Sequence, residues 1–103
     1  MRKIYIAGKI TGCPDYKENF KKAEEFIKNK EECVVLNPTI LPLGLEHHEY
    51  MKMCYPMIDV SDTVIFLPNW VESKGAKMES DYAKENGKNC IYNYFEDCDL
   101  GGF

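Results

Sequence analysis

Four short apolar runs recur along the chain: KIYIA (3–7), CVVL (33–36), TVIFLP (63–68) and NCIYNYF (89–95). They are rich in β-branched and aromatic residues and are bounded by Gly, Pro or Asn, which predicts buried strands. Between the first two, Tyr16, Phe20, Ala23 and Ile27 fall on one face at helical spacing while Lys and Glu fill the other. This predicts an amphipathic helix over 15–29, with Asp15 and Glu18 spaced as a capping box. A second helical pattern runs over 46–61 through Tyr50, Met53, Met57 and Ile58. Pro56 lies inside it and predicts a kink or an early break. Tyr50, Met53 and Met57 are expected in the core or on the buried stripe of a dimer. The preceding stretch, NPTILPLGLEHH, carries two prolines and predicts an irregular loop. A third helix is expected over 75–86, stopped by Gly87.

The order is β-α-β-α-β-α-β. Continuous apolar strands alternating with helices predict an α/β domain: a small doubly wound, flavodoxin- or Rossmann-like parallel four-stranded sheet with helices on both faces. The domain is expected over 1–95, with a tail at 96–103 that shows no periodicity. In such folds ligands lie beyond the carboxyl ends of the strands, near the switch in strand order. Three loops should meet there: GKITG after the first strand, NPT after the second and NWVESKGAKME after the third.

Composition narrows the class. At 103 residues, with 45% hydrophobic and 29% charged residues, the chain is an ordinary globular domain rather than a disordered one. A net charge of −4 argues against binding a nucleic-acid polymer, which needs a basic stripe. No apolar run approaches the roughly 20 residues that span a bilayer, so no membrane association is expected. The N-terminal apolar stretch, Ile4 to Ala7, is too short for a signal peptide. Five scattered cysteines with no CxxC pair support neither a zinc site nor a disulfide framework. A cytoplasmic protein without metal or organic cofactor is expected.

Two stretches bear on chemistry. AGKITG is neither a Walker loop nor G-x-G-x-x-G, but its glycines expose N–H groups at a helix start, a natural anion site. The alternative is that Gly8 and Gly12 only permit a tight turn. In SKGAKMESDYA, Gly75 allows close approach, and the first-turn N–H groups have no partners within the helix. Glu79 lies one turn in, where the helix dipole would help to keep it ionised. A held carboxylate suits attack on a sugar's anomeric carbon, and a surface glutamate complementing the dipole is the other reading. Asn69 and Trp70 lie on the loop after the third strand, and the indole offers either a stacking surface for a base or an interface residue.

IYIAGKITG, MIDVSDTVIFLPNW and SKGAKMESDYAKENGK together resemble the nucleoside 2-deoxyribosyltransferase superfamily, which includes the deoxynucleoside 5'-monophosphate N-hydrolases. The likeness runs from the first strand to the fourth and is nearest to a small phage- and prophage-associated subfamily. It implies cleavage or transfer at the N-glycosidic bond of a 2'-deoxynucleoside or its 5'-monophosphate. By this resemblance Glu79 is the nucleophile and Tyr5 orients it. Gly8, Lys9, Ile10, Thr11, Ser73 and Gly75 would bind the substrate, with Asn69 and Trp70 on the base side. Ser73 stands where the transferases carry an aspartate and the hydrolases a phosphate-binding serine, and GKITG aligns with the hydrolases' phosphate loop, so the resemblance favours a nucleotide over a nucleoside. Cys54 replaces an aspartate near the leaving base, and a thiol is a poor substitute for a carboxylic acid. Asp59, His47 and His48 lie in the same region as alternative acids. The superfamily also implies a homo-oligomer.

Two other readings follow from the same residues. Cys54 favours a nucleotide-sequestering protein that keeps the pocket and has lost the acid. A purely structural module would leave the loops without a task, and the pairing of Glu79 with Tyr5 argues against it.

Overall fold

The structure, a computed structural model, describes residues 1–93. Four strands, β1 (Arg2–Ala7), β2 (Cys33–Leu36), β3 (Thr63–Phe66) and β4 (Asn89–Ile91), form one parallel sheet in the order β2-β1-β3-β4. Three helices connect them: α1 (Tyr16–Lys30), α2 (His47–Asp59) and α3 (Lys74–Glu85). The doubly wound α/β architecture expected from the alternating pattern is therefore present. The expected tail at 96–103, the end of the fourth apolar run and Cys98 lie outside the described residues.

Alternation along β1 divides the core in two. Ile4 and Ile6 point to one face and pack with Phe20, Ala23 and Ile27 of α1 and with Ile65 and Leu67. Tyr5 and Ala7 point to the other and pack with Cys54 and Ile58 of α2, Val64 and Phe66 of β3, and Ala83 of α3. The chain reverses its winding between β1 and β3, so the β1 and β3 ends flank the switch point. Ala7 pairs with Phe66, and the Leu67 N–H reaches the Ala7 carbonyl at 2.9 Å. That bond carries the pairing past the last residue of β3.

Helix boundaries follow local chemistry, with two departures from expectation. Asp15 makes no side-chain cap at the start of α1. The capping box forms instead at α2, where Glu46 accepts from the Glu49 backbone and the Glu49 carboxylate takes the Glu46 N–H at 2.8 Å. Pro56 does not end α2, which continues to Asp59. The proline is exposed, so the Lys52 carbonyl left without its N–H partner can turn to water. α3 stops as its sequence predicts. Gly87, at φ +69°, donates to Lys84 and Lys88 donates to Ala83, which together make a Schellman cap.

Gly8 follows β1 where the chain passes closest to Leu67. A Cβ at this position would lie 2.9 Å from Leu67 Cδ1 and 3.2 Å from its Cβ. Gly8→Ala is expected to destabilise the fold by about 1–3 kcal/mol, the usual cost of overpacking. Urea unfolding measures it, and an unchanged midpoint would mean that Leu67 yields freely.

Candidate active site

A cavity of about 580 Å3 opens at the carboxyl end of β1, walled by the loops after β1 and β2 and by the first turns of α2 and α3. Tyr5, Gly8, Ile10, Thr11, Cys54, Ser73, Gly75 and Glu79 are among the residues that line it. Its floor is the pair formed by β1 and α3. Tyr5 is fully buried, and its hydroxyl donates to Glu79 Oε2. Glu79 is 6% exposed, an unusual position for a carboxylate with no cation beside it.

That burial corrects the expectation of a freely ionised Glu79. Loss of hydration pushes its carboxyl up from the ordinary 4.5 to about 7, while hydrogen bonds from Tyr5 and Cys54 pull the other way. Desolvation outweighs both these donors and the helix dipole. Tyr5 in turn is raised well above its usual range, first by burial and then by the charge of Glu79. Burial, followed by the Glu79 charge, pushes the Cys54 thiol up to about 11. At neutral pH both therefore keep their protons, and that of Tyr5 is the one donated to Glu79.

α3 begins where its sequence places a cap. The Ser73 hydroxyl accepts from the Ala76 N–H at 3.1 Å, which leaves its own proton free to meet a ligand. Gly75 keeps the wall thin. A Cβ there would lie 3.6 Å from His47 Cε1, so any larger side chain would close the space between α2 and α3.

Four expected site residues are engaged elsewhere. Lys9 does not line the cavity; its ammonium pairs with Glu72 at 3.3 Å. Asn69 accepts the Lys9 N–H at 3.1 Å and so braces the first loop against the third. The stacking surface expected of Trp70 is turned into the core. Its ring centroid lies 5.4 Å from Phe66 and 4.9 Å from Tyr92, and its Nε1 is buried without a hydrogen-bond partner among the described residues. An indole gains more by packing on two rings beside the sheet than at the crevice rim. Asp59, proposed as a stand-in acid, accepts from the Tyr82 hydroxyl at 2.5 Å on the exposed side of α2 and α3.

Other residues complete the walls. His47, at the start of α2, faces the cavity with Nε2 3.3 Å from Met78 Sδ. Leu41, Leu43 and Leu45, from the loop after β2, supply an apolar side. Tyr50 secures that loop by donating to the Pro42 carbonyl at 2.5 Å. Helical spacing marked Tyr50 as core or as part of a dimer stripe, and nothing in the sequence pattern marked this loop as a wall. Among the described residues, no Lys or Arg lines the cavity, and no three His, Cys, Asp or Glu are grouped to hold a metal ion. No helix among them is long and apolar enough to cross a membrane.

The family described as "Domain of unknown function (DUF4406)" matches residues 2–92. Among solved structures, one titled "2-desoxiribosyltransferase from Leishmania mexicana" is similar with a TM-score of 0.68 and 26% sequence identity. The similarity covers 89% of this chain and 63% of that one, so the chain spans somewhat under two thirds of its structural relative. No curated protein matches.

Proposed function

The chain belongs to the DUF4406 family, and from its deoxyribosyltransferase-like fold we propose that it acts on the N-glycosidic bond of 2'-deoxynucleosides or their 5'-monophosphates. One observation carries the reading: a buried carboxylate, Glu79, stands in the wall of a nucleoside-sized cavity with a tyrosine hydroxyl fixed on it.

In this mechanism Glu79 attacks C1' and the bond from C1' to the base nitrogen breaks, its electrons leaving with the base. The base takes up a proton, and the sugar remains as an ester on Glu79. Water or a second base then attacks C1' and frees the carboxylate. Tyr5 holds Glu79 in line. Cys54 is too weak an acid to supply the proton, whereas His47 is a side chain of the usual kind for this role on the same cavity. Ser73 and the first-turn N–H groups of α3 would hold the polar end of the sugar. With no Lys or Arg on the walls among the described residues, the neutral nucleoside is favoured here over the monophosphate that Ser73 and GKITG suggested. A sequestering protein that binds without cleaving is the second reading, favoured by the thiol at Cys54.

Base release from each deoxynucleoside and each monophosphate tests this, alone and with a second base present. Only ionised Glu79 is a nucleophile, so the rate should rise with pH, tenfold per unit below a midpoint near 7, and fall above it only where the proton donor is lost. Tight binding without release would support the sequestering reading. A rate that is flat or falls as pH rises toward 7 from the acid side would contradict the role given to Glu79.

A further inference from the structure

Lys9 stands between two residues that line the cavity, Gly8 and Ile10, yet does not line it itself. Its stem runs past Gly12, another lining residue: a Cβ at Gly12 would lie 3.9 Å from Lys9 Cε. The ammonium, one atom further on, is paired with Glu72 at 3.3 Å. Glu72 directly precedes Ser73, whose hydroxyl caps α3 on the cavity wall. A cation and an anion therefore meet at the rim, where the loop after β1 comes against the start of α3.

Holding the loop does not require this pair. Asn69 Oδ1 already accepts the Lys9 N–H at 3.1 Å, and the Leu67 N–H ties the end of β1 to the end of β3. An exposed ion pair also adds little stability of its own. What the pair changes is the charge of the rim. An ammonium beside a glycine loop, a serine hydroxyl and the first turn of a helix would draw an anion. With Glu72 on it, that charge is cancelled, and a carboxylate faces any incoming phosphate.

We propose that Glu72 is a specificity-determining residue: by holding the Lys9 ammonium it turns a phosphate away from the rim and reserves the cavity for uncharged nucleosides. The choice of nucleoside rests on the proposed function, whereas the exclusion of phosphate does not. Lys9 is the better held partner, its side chain 26% exposed against 63% for Glu72, so losing the glutamate leaves the ammonium beside the cavity. Lys74, the next residue after Ser73, is exposed and outside the lining.

Calorimetry on the Glu79→Gln background, which holds a substrate without turning it over, tests this. There Glu72→Gln should tighten a 2'-deoxynucleoside 5'-monophosphate about three- to tenfold relative to the nucleoside, the scale of charge pairing at a solvated rim. Adding Lys9→Gln should abolish the gain. Inorganic phosphate, followed through the amide resonances of Gly8 and Gly12, is a probe that owes nothing to the glycosidic reading, and it should bind more tightly to Glu72→Gln than to the wild type. Phosphate binding unchanged by Glu72→Gln, or a ratio of nucleotide to nucleoside affinity unchanged by it, would overturn the role given to Glu72 and leave base release as it stands. A gain that survives Lys9→Gln would also overturn it, because Lys74 or the overall charge would then be responsible. Tighter phosphate binding that Lys9→Gln abolishes, with no base release from any substrate, would uphold the role of Glu72 and overturn only the glycosidic reading.

Discussion

Glu79→Gln is expected to lower base release by about a thousandfold or more while leaving the fold intact and, at alkaline pH, more stable. Loss of activity follows from removing the only group proposed to form a bond with C1', since a neutral amide is no nucleophile. The gain in stability follows from burial. Folding raises the Glu79 carboxyl from 4.5 to about 7, so the folded state binds a proton more readily than the unfolded chain. The fold therefore has its full stability below about pH 4.5 and loses some of it as pH rises through 7. A shift of this size corresponds to a penalty on the order of 3 kcal/mol once the group is fully ionised. Glutamine is never charged and escapes it. Thermal unfolding should give the variant a higher Tm than the wild type at pH 9 and a similar one at pH 4. A variant that loses activity and is equally destabilised at both values would show Glu79 to be a packing residue.

Tyr5→Phe is the second large effect. Its ring is fully buried in the core beneath the cavity, and phenylalanine preserves that packing. What disappears is the hydroxyl donated to Glu79. A hydrogen bond to a charged group contributes about 1.5–3 kcal/mol, so the rate near neutral pH should fall roughly 10- to 100-fold. Part of the fall comes from a carboxyl that ionises less readily, and raising the pH recovers that part. The remainder is lost orientation, which pH does not restore. An unchanged rate and profile would mean that Tyr5 serves the core alone.

The frame behind these effects was legible where local and global preferences agree. β-branched runs became the central strands, and the apolar stripe from Phe20 to Ile27 became the buried face of α1. Ser73 and Gly87 bracket α3 through their own backbone chemistry, which a short sequence window contains. Long-range competition was harder to read. Trp70 looks like a crevice residue until Tyr92, from beyond the fourth strand, joins Phe66 in offering it a second ring. Lys9 looks like an anion ligand until Glu72 arrives beside it. Asp15 and Glu18 have the spacing of a capping box that Glu46 and Glu49 form instead. The charge state of Glu79 depends on how much water the sheet and two helices exclude, and no spacing rule carries that information.

The site itself divides in the same way. Its place one turn into a helix behind a glycine left Glu79 open between a held carboxylate and a surface residue, and the resemblance singled it out together with Tyr5. The apolar wall of Leu41, Leu43 and Leu45 could not be read, because it depends on how an irregular loop folds back over the β1 end.

One measurement bears most directly on Glu79 as the nucleophile: mass spectrometry of acid-quenched protein after brief exposure to a 2'-deoxynucleoside. The peptide containing Glu79 should gain the mass of one 2-deoxyribosyl group in the wild type and none in Glu79→Gln. Base release by the wild type with the sugar bound to a different residue, or undiminished release by Glu79→Gln, would contradict it.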